Sequence, residues 1–210
     1  DLSGCIITID AMGTQKKIAQ TITAQESDYI LALKENHKTL YDDTTRFFDN
    51  MKSMESDGYA FDEYQTIDGG HGRVETRRYV MTSDIDWLDG KESWPGLKSL
   101  GMVESIREVN GESSHEKRYY ISSLECCAQV FGDAVRKHWG IENSVHWILD
   151  IAFREDESRI RKGAGPENFA AIRHIALNLL KENKSFKGSI KSKRLNAAMD
   201  PEYLENVMFG

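Results

Sequence analysis

Two acidic residues stand where a carboxylate can do more than cover a solvated surface. Asp10 ends the apolar, β-branched run Cys5-Ile6-Ile7-Thr8-Ile9 and is followed by Ala11-Met12-Gly13-Thr14. A buried strand that ends on an aspartate places a charge at the rim of a sheet, where desolvation is unfavourable unless a cation or hydrogen bonds compensate. Asp10 therefore reads as the cap of the following helix or as a metal ligand. Glu142 lies in Arg136-Lys137-His138-Trp139-Gly140-Ile141-Glu142-Asn143, beside an expected apolar stripe of Ala134, Ile141, Val145, Ile148 and Ala152. Two carboxylates from distant segments that meet at a sheet edge suit Mg²⁺ or Mn²⁺, hard cations that take oxygen ligands and keep waters for phosphate oxygens. The competing reading for Glu142 is a solvated ion pair with Arg136 or Lys137. Zinc on His138, Glu142 and His146 lacks the His-Glu-x-x-His spacing and an evident third ligand.

Arginines supply the second kind of chemistry. His71-Gly72-Arg73-Val74-Glu75-Thr76-Arg77-Arg78 places three of them within six positions of a β-rich run, a pattern able to fork onto phosphates or to alternate charge along a hairpin. Gly69-Gly70-x-Gly72 lacks the lysine and the helix of a nucleotide loop. Trp139 and Trp147 could stack on a base, and the sequence favours them as core residues.

The elements that position these groups begin with the strand up to Ile9, a helix over Thr14 to Gln25 and a short buried strand from Asp28 to Leu33. Strand, helix and strand in about 30 residues make a βαβ unit, which sets Asp10 and Lys34 at one sheet edge, the edge where such sheets bind ligands. Asn36 to Met54 is expected to be helical through Leu40, Thr44, Phe47, Phe48 and Met51. Tyr59 to Ser123 reads as an antiparallel β insertion with a turn at Asn110-Gly111. Helices follow: an arm over Val130 to Phe153, then a helix opened by Gly165-Pro166 with Phe169, Ile172, Ile175 and Leu179 toward the core. Lys184 to Arg194 is basic and loop-like. The expected division is 1–58, 59–123 and 124–210.

A chain of 210 residues with 40% hydrophobic content can bury a core, and no run approaches membrane-span length. Asp1-Leu2-Ser3-Gly4 has no basic-then-apolar leader pattern, so a cytoplasmic location is expected. Cys5, Cys126 and Cys127 offer neither a paired disulfide set nor a metal spacing, so they are expected to be buried, reduced thiols. The net charge of −7 disfavours coating nucleic acid with the whole surface, yet Phe131 to Gly210 holds 13 Lys and Arg against 11 Asp and Glu. A polyanion would meet the C-terminal part or local basic clusters.

Several segments in order resemble one family, the ISAs-type DDE transposases of bacterial insertion sequences, which includes the H-repeat-associated proteins. They are Ile7-Thr8-Ile9-Asp10-Ala11-Met12-Gly13, Tyr29-Ile30-Leu31-Ala32-Leu33-Lys34, His71-Gly72-Arg73-Val74-Glu75, Arg118-Tyr119-Tyr120-Ile121-Ser122-Ser123-Leu124 and His138-Trp139-Gly140-Ile141-Glu142-Asn143. His146-Trp147-x-Leu149-Asp150 and Ile175-Ala176-Leu177-Asn178-Leu179-Leu180-Lys181 complete the set. The resemblance implies an α/β, ribonuclease-H-like core with a β insertion before the last catalytic helix and a metal site of Asp, Asp and Glu. Asp10 matches the second aspartate and Glu142 the glutamate. Two Mg²⁺ (or Mn²⁺) ions on such carboxylates serve phosphodiester cleavage and strand transfer at insertion-sequence ends and target DNA. Arg73 and Arg136 would contact DNA phosphate, and a homo-oligomer is a further implied partner.

Two departures follow from the resemblance. The positions that hold Tyr, Arg and Lys around the glutamate in the wider superfamily are Val135, His138 and Leu149 here. The family's first aspartate precedes the strand that begins this chain, which implies an N-terminally truncated core, inactive alone. Gly4 to Ile9 would then be an open edge prone to association. Alternatives are a non-enzymatic remnant with weak DNA or self association, and a nuclease that takes Asp150 as its third ligand.

Overall fold

A computed structural model of the chain describes residues 2–70, 72–109 and 111–210, with Glu142 and Asn143 described by their backbone alone. His71 and the Asn110 of the expected turn lie outside the described residues. The chain divides into two compact units, 1–138 and 139–210.

The first unit is built on one six-stranded sheet of order β1-β2-β6-β5-β4-β3. Its strands are β1 (Ile6–Ile9), β2 (Asp28–Leu33), β3 (Asp62–Gly70), β4 (Arg73–Thr82), β5 (Ser99–Val109) and β6 (Glu112–Ser122). β1 and β2 run parallel, Ile6 opposite Asp28 and Ile9 opposite Leu31, joined across α1 (Lys16–Thr23) as the βαβ expectation requires. All other pairs are antiparallel, and Leu33 of β2 faces Tyr119 of β6. The strands of 59–123 thus join those of the opening segment in a single sheet.

Side-chain alternation along β6 fixes what covers each face. Tyr119 and Ile121 point to one side, where Leu31, Leu33, Val80, Leu100 and Met102 meet Ala19 and Ile22 of α1 and Phe47 and Phe48 of α2 (Lys38–Asp49). Tyr120 points to the other, with Ile30, Tyr79, Met81 and Val103, under Ala128, Phe131 and Val135 of α4 (Ala128–Ile141). Burial on both faces is why Tyr79-Val80-Met81 and Tyr119-Tyr120-Ile121 are unbroken apolar runs. Where the helices stop, the same strands turn to charge: Arg78 meets Glu63 at 2.5 Å and Arg77 meets Asp68 at 2.7 Å.

Two ring-on-glycine contacts seat α4. A Cβ on Gly101 of β5 would lie 2.7 Å from Phe131 Cζ, and one on Gly132 would lie 2.9 Å from Tyr79 Cγ. Asp62 of β3 caps the helix by accepting from Ala128 N at 2.7 Å.

Several expectations are corrected. β1 is an edge strand, only partly buried, with Ile6 37% exposed, and Cys5 is an exposed thiol. The helix expected over Asn36 to Met54 is two, α2 and α3 (Met51–Ser56), broken at Asn50, whose backbone leaves the helical region at φ −100°. α4 buries Ala128, Phe131, Gly132 and Val135, while Ile141 of the expected stripe is exposed. In the second unit, a π-helical turn (Glu142–His146) leads into α5 (Trp147–Phe153), which Arg154 ends in the left-handed region at φ 54°. α6 (Gly165–Glu182) opens on Pro166 as expected, but Phe169, Ile172 and Ile175 are exposed and Leu177 and Leu180 are the buried positions. The basic segment is partly helical, since α7 (Ile190–Met199) begins within it; α8 (Pro201–Phe209) follows. Leu180, Tyr203 and Val207 form the small core of this unit with Phe153 and Phe186 against them. Lys193 is buried there, its ammonium donating to Leu180 O at 2.8 Å and Asn183 O at 2.5 Å, carbonyls at the end of α6. Among the described residues no helix is long and apolar enough to cross a membrane.

Gly101→Ala is expected to lower stability by about 1–3 kcal/mol through overpacking against Phe131, read as a lower urea midpoint with unchanged slope. Burial drives the Tyr119 and Tyr120 hydroxyls up to about 12. Since the folded state favours the neutral phenol, stability holds below the ordinary tyrosine pKa of about 10 and falls as pH rises toward 12. An alkaline titration should show tyrosinate absorbance and loss of near-ultraviolet circular dichroism rising together in that window.

Candidate metal centre and nucleic-acid contacts

Asp10 leaves β1 in extended conformation and caps a short 3₁₀ turn, Ala11–Gly13, its Oδ1 accepting from Gly13 N at 3.3 Å. The turn is held from several sides. Thr14, fully buried, brings its hydroxyl 2.6 Å from Ala32 O and 3.2 Å from Asp10 O. Asn36 donates to Ala11 O at 2.7 Å, and His37 Nε2 lies 2.7 Å from Thr14 O. A carbonyl only accepts, so His37 carries its proton on Nε2. A Cβ on Gly13 would sit 2.4 Å from Ile9 Cγ2, so no larger residue fits the turn unless Ile9 moves.

Asp10 thus caps the 3₁₀ turn, not the expected helix, since α1 begins after Gln15 with no side-chain cap, and this one bond does not exhaust the carboxylate. The carboxylate is exposed, and one bond to Gly13 uses one of about four lone-pair sites. Thr14, Asn36 and His37 were not singled out by sequence pattern. Their signal was topological, because Asn36 and His37 follow β2 at the edge where β1 delivers Asp10.

Thr8 pairs with Ile30, which places it on the α4 side of the sheet. There its Oγ1 lies 3.0 Å from His138 Nδ1. His138 thus extends the packed face of α4, three residues beyond Val135 and seven beyond Phe131. It serves as a hydrogen-bonded packing residue that tethers the helix to the edge strand. Glu142 opens the π-helical turn in the second unit, and its side chain lies outside the described residues. Among the described residues, no group of three His, Cys, Asp or Glu side chains is arranged to hold a metal ion.

The arginines divide by role. Arg77, with a side chain only 11% exposed, bridges Asp68 and Glu75, and Arg78 is gripped by Glu63 and Glu104. The hydrogen bonds that Arg78 donates to the Glu63 carboxylate raise its pKa further. These two form a cross-strand charge ladder, as the alternating-charge reading anticipates. Arg73 begins β4 and is exposed. Arg136 of α4 is half-exposed and donates to Asp68 at 3.2 Å, sharing that carboxylate with Arg77. Trp139 and Trp147 are exposed by 38% and 60%, not core as the sequence favoured.

The family described as Transposase DDE domain matches residues 1–179. The chain is 40% identical over 215 residues to "H repeat-associated putative transposase YhhI" of Escherichia coli (strain K12), covering 100% of this chain and 56% of that protein. It is 40% identical over 212 residues to "Putative transposase YncI" of Escherichia coli O157:H7, covering 99% and 54%. The chain thus spans about half the length of these relatives. No solved structure matches it. With a DDE domain matched over most of its length and H repeat-associated relatives aligned along all of it, the chain belongs to the DDE transposase family.

Proposed function

We propose that this chain is part of a ribonuclease-H-like catalytic domain that cleaves and joins DNA in transposition, with Asp10 and Glu142 as metal-binding carboxylates. Bound Mg²⁺ or Mn²⁺ would polarise the phosphodiester and lower the pKa of an attacking water or 3′-hydroxyl. Arg73 and Arg136 contact the phosphate backbone by charge-assisted forks. The DNA partners are the element's ends and its target, met by an oligomer in the cytoplasm.

The observation that carries this reading is the placement of Asp10: an exposed carboxylate at the end of a parallel strand, on a turn fixed by Thr14, Asn36 and His37. Ligands of open α/β sheets bind at that edge, and a metal ligand held by surrounding hydrogen bonds needs little reorganisation. For Glu142 the support is its segment. Glu142 stands in His138-Trp139-Gly140-Ile141-Glu142-Asn143, which resembles the family's glutamate segment, and π-helical turns such as Glu142–His146 recur at functional sites.

Iron-directed cleavage tests the pair. With Fe²⁺ and peroxide replacing Mg²⁺, backbone scission is expected near residue 10 and near residue 142 in the same molecule, and Asp10→Ala should abolish both cuts. Cuts at one place only, or cuts that survive Asp10→Ala, overturn the shared site. Since the family's metal site takes three carboxylates and two are assigned here, this polypeptide alone is expected to leave supercoiled plasmid intact. Metal-dependent nicking that is lost in Asp10→Ala would refute that expectation.

A further inference from the structure

The strongest local charge feature lies in a segment of the second unit separate in sequence from both candidate carboxylates. Residues 181–194 hold six cations, Lys181, Lys184, Lys187, Lys191, Lys193 and Arg194, against the one acid Glu182, whereas the rest of the chain has 21 cations and 33 acids. A net +5 in 14 residues of a chain with net charge −7 is a local field of opposite sign to its surroundings.

Not all of this charge is available. Lys193 is buried on backbone carbonyls, Lys181 donates to Ser144 O at 2.8 Å, and Arg194 lies 5.6 Å from the centre of the Phe153 ring. Lys184, Lys187 and Lys191 are exposed, and Lys184, which donates to Lys181 O at 2.8 Å, keeps two of its three ammonium donors for a phosphate. They sit on a connection whose backbone is built, not loose. Asn183 accepts from Ser185 N at 3.1 Å and donates to Asn206 at 2.7 Å, Lys193 holds Asn183 O, and Ser189 caps α7 by accepting from Ser192 N at 3.1 Å. Phe186 packs edge-on to Tyr203 at 5.8 Å, and Gly188 fits because a Cβ there would lie 2.7 Å from the Phe186 ring. The nearest acid of α8 in sequence, Asp200, spends its carboxylate on capping that helix.

We propose that this connection and the start of α7 are a duplex-DNA contact surface, with Lys184, Lys187 and Lys191 on backbone phosphates. The inference rests on the proposal that the protein acts on DNA. Lysine ammonium groups on a pre-ordered loop neutralise phosphates without reading sequence, and little ordering entropy is lost on contact. The surface positions DNA and takes no part in the chemistry.

Binding of a fluorescent duplex across a salt series provides the test, comparing the parent chain with Lys184→Gln/Lys187→Gln/Lys191→Gln and with a control triple, Lys17→Gln/Lys52→Gln/Lys98→Gln. Each lost phosphate contact removes about 0.9 from the log–log salt slope. The first triple is expected to flatten the slope by about 2–3 and weaken low-salt binding at least tenfold, with unchanged circular dichroism, while the control stays near the parent. Equal losses in both triples, no change in the first, or no duplex binding by the parent overturns the proposal. So does a loss confined to anionic phospholipid vesicles, which would mark a membrane surface. The iron-cleavage pattern at residues 10 and 142 is independent of these lysines, so failure here and failure of the catalytic reading are separable.

Discussion

β6 is hydrogen-bonded on both sides, to β2 and to β5, so it joins the parallel opening unit to the antiparallel strands that follow. Its side-chain alternation decides which residues every covering helix can reach. A slip of one residue between β2 and β6 would exchange Tyr119 and Ile121 for Tyr120, bringing the α1–α2 face and the α4 face to the wrong partners. The pairing is reinforced off the ladder by serine hydroxyls, Ser122 donating to Tyr29 O at 2.9 Å and Ser123 accepting from Tyr29 N at 2.9 Å. From this register follow the seat of α4, the reach of His138 to Thr8, and the turn that carries Asp10.

The two ends of the long strands serve different needs. Near the helices they are apolar on both faces. Beyond the helices they are covered by cross-strand ion pairs such as that of Arg78 with Glu63, which contribute little individually at a surface. Such pairs satisfy charge that would otherwise repel across strands. They also explain why an arginine-rich sequence run is not by itself a phosphate clamp: Arg77 and Arg78 are engaged within the sheet, and Arg73 faces outward at its end.

Legibility from sequence followed how much of each element was carried by side-chain pattern. β2 was read to its termini because Asp28 and Lys34 bound an apolar run with no competing period. The face of α4 was read one step out of phase, since its true face includes Gly132 and His138, neither of which scores as apolar. The α6 stripe of Phe169, Ile172 and Ile175 has good helical spacing, and the positions the fold buries are Leu177 and Leu180. The charge of 184–194 masked the Ser189 cap that starts α7. Of the candidate site, the Asp10 strand end was legible, but the residues that fix it were not, because Thr14, Asn36 and His37 act through backbone carbonyls distant in sequence.

The reciprocal contacts of Gly101 with Phe131 and Gly132 with Tyr79 bear on how this sequence can drift. Each is a fixed sum of volumes shared by a strand and a helix, and neither partner can grow unless the other shrinks. Positions 101 and 131, and likewise 132 and 79, should therefore change together among descendants of this chain: a larger residue on the strand is tolerated where the helix has already given up its ring.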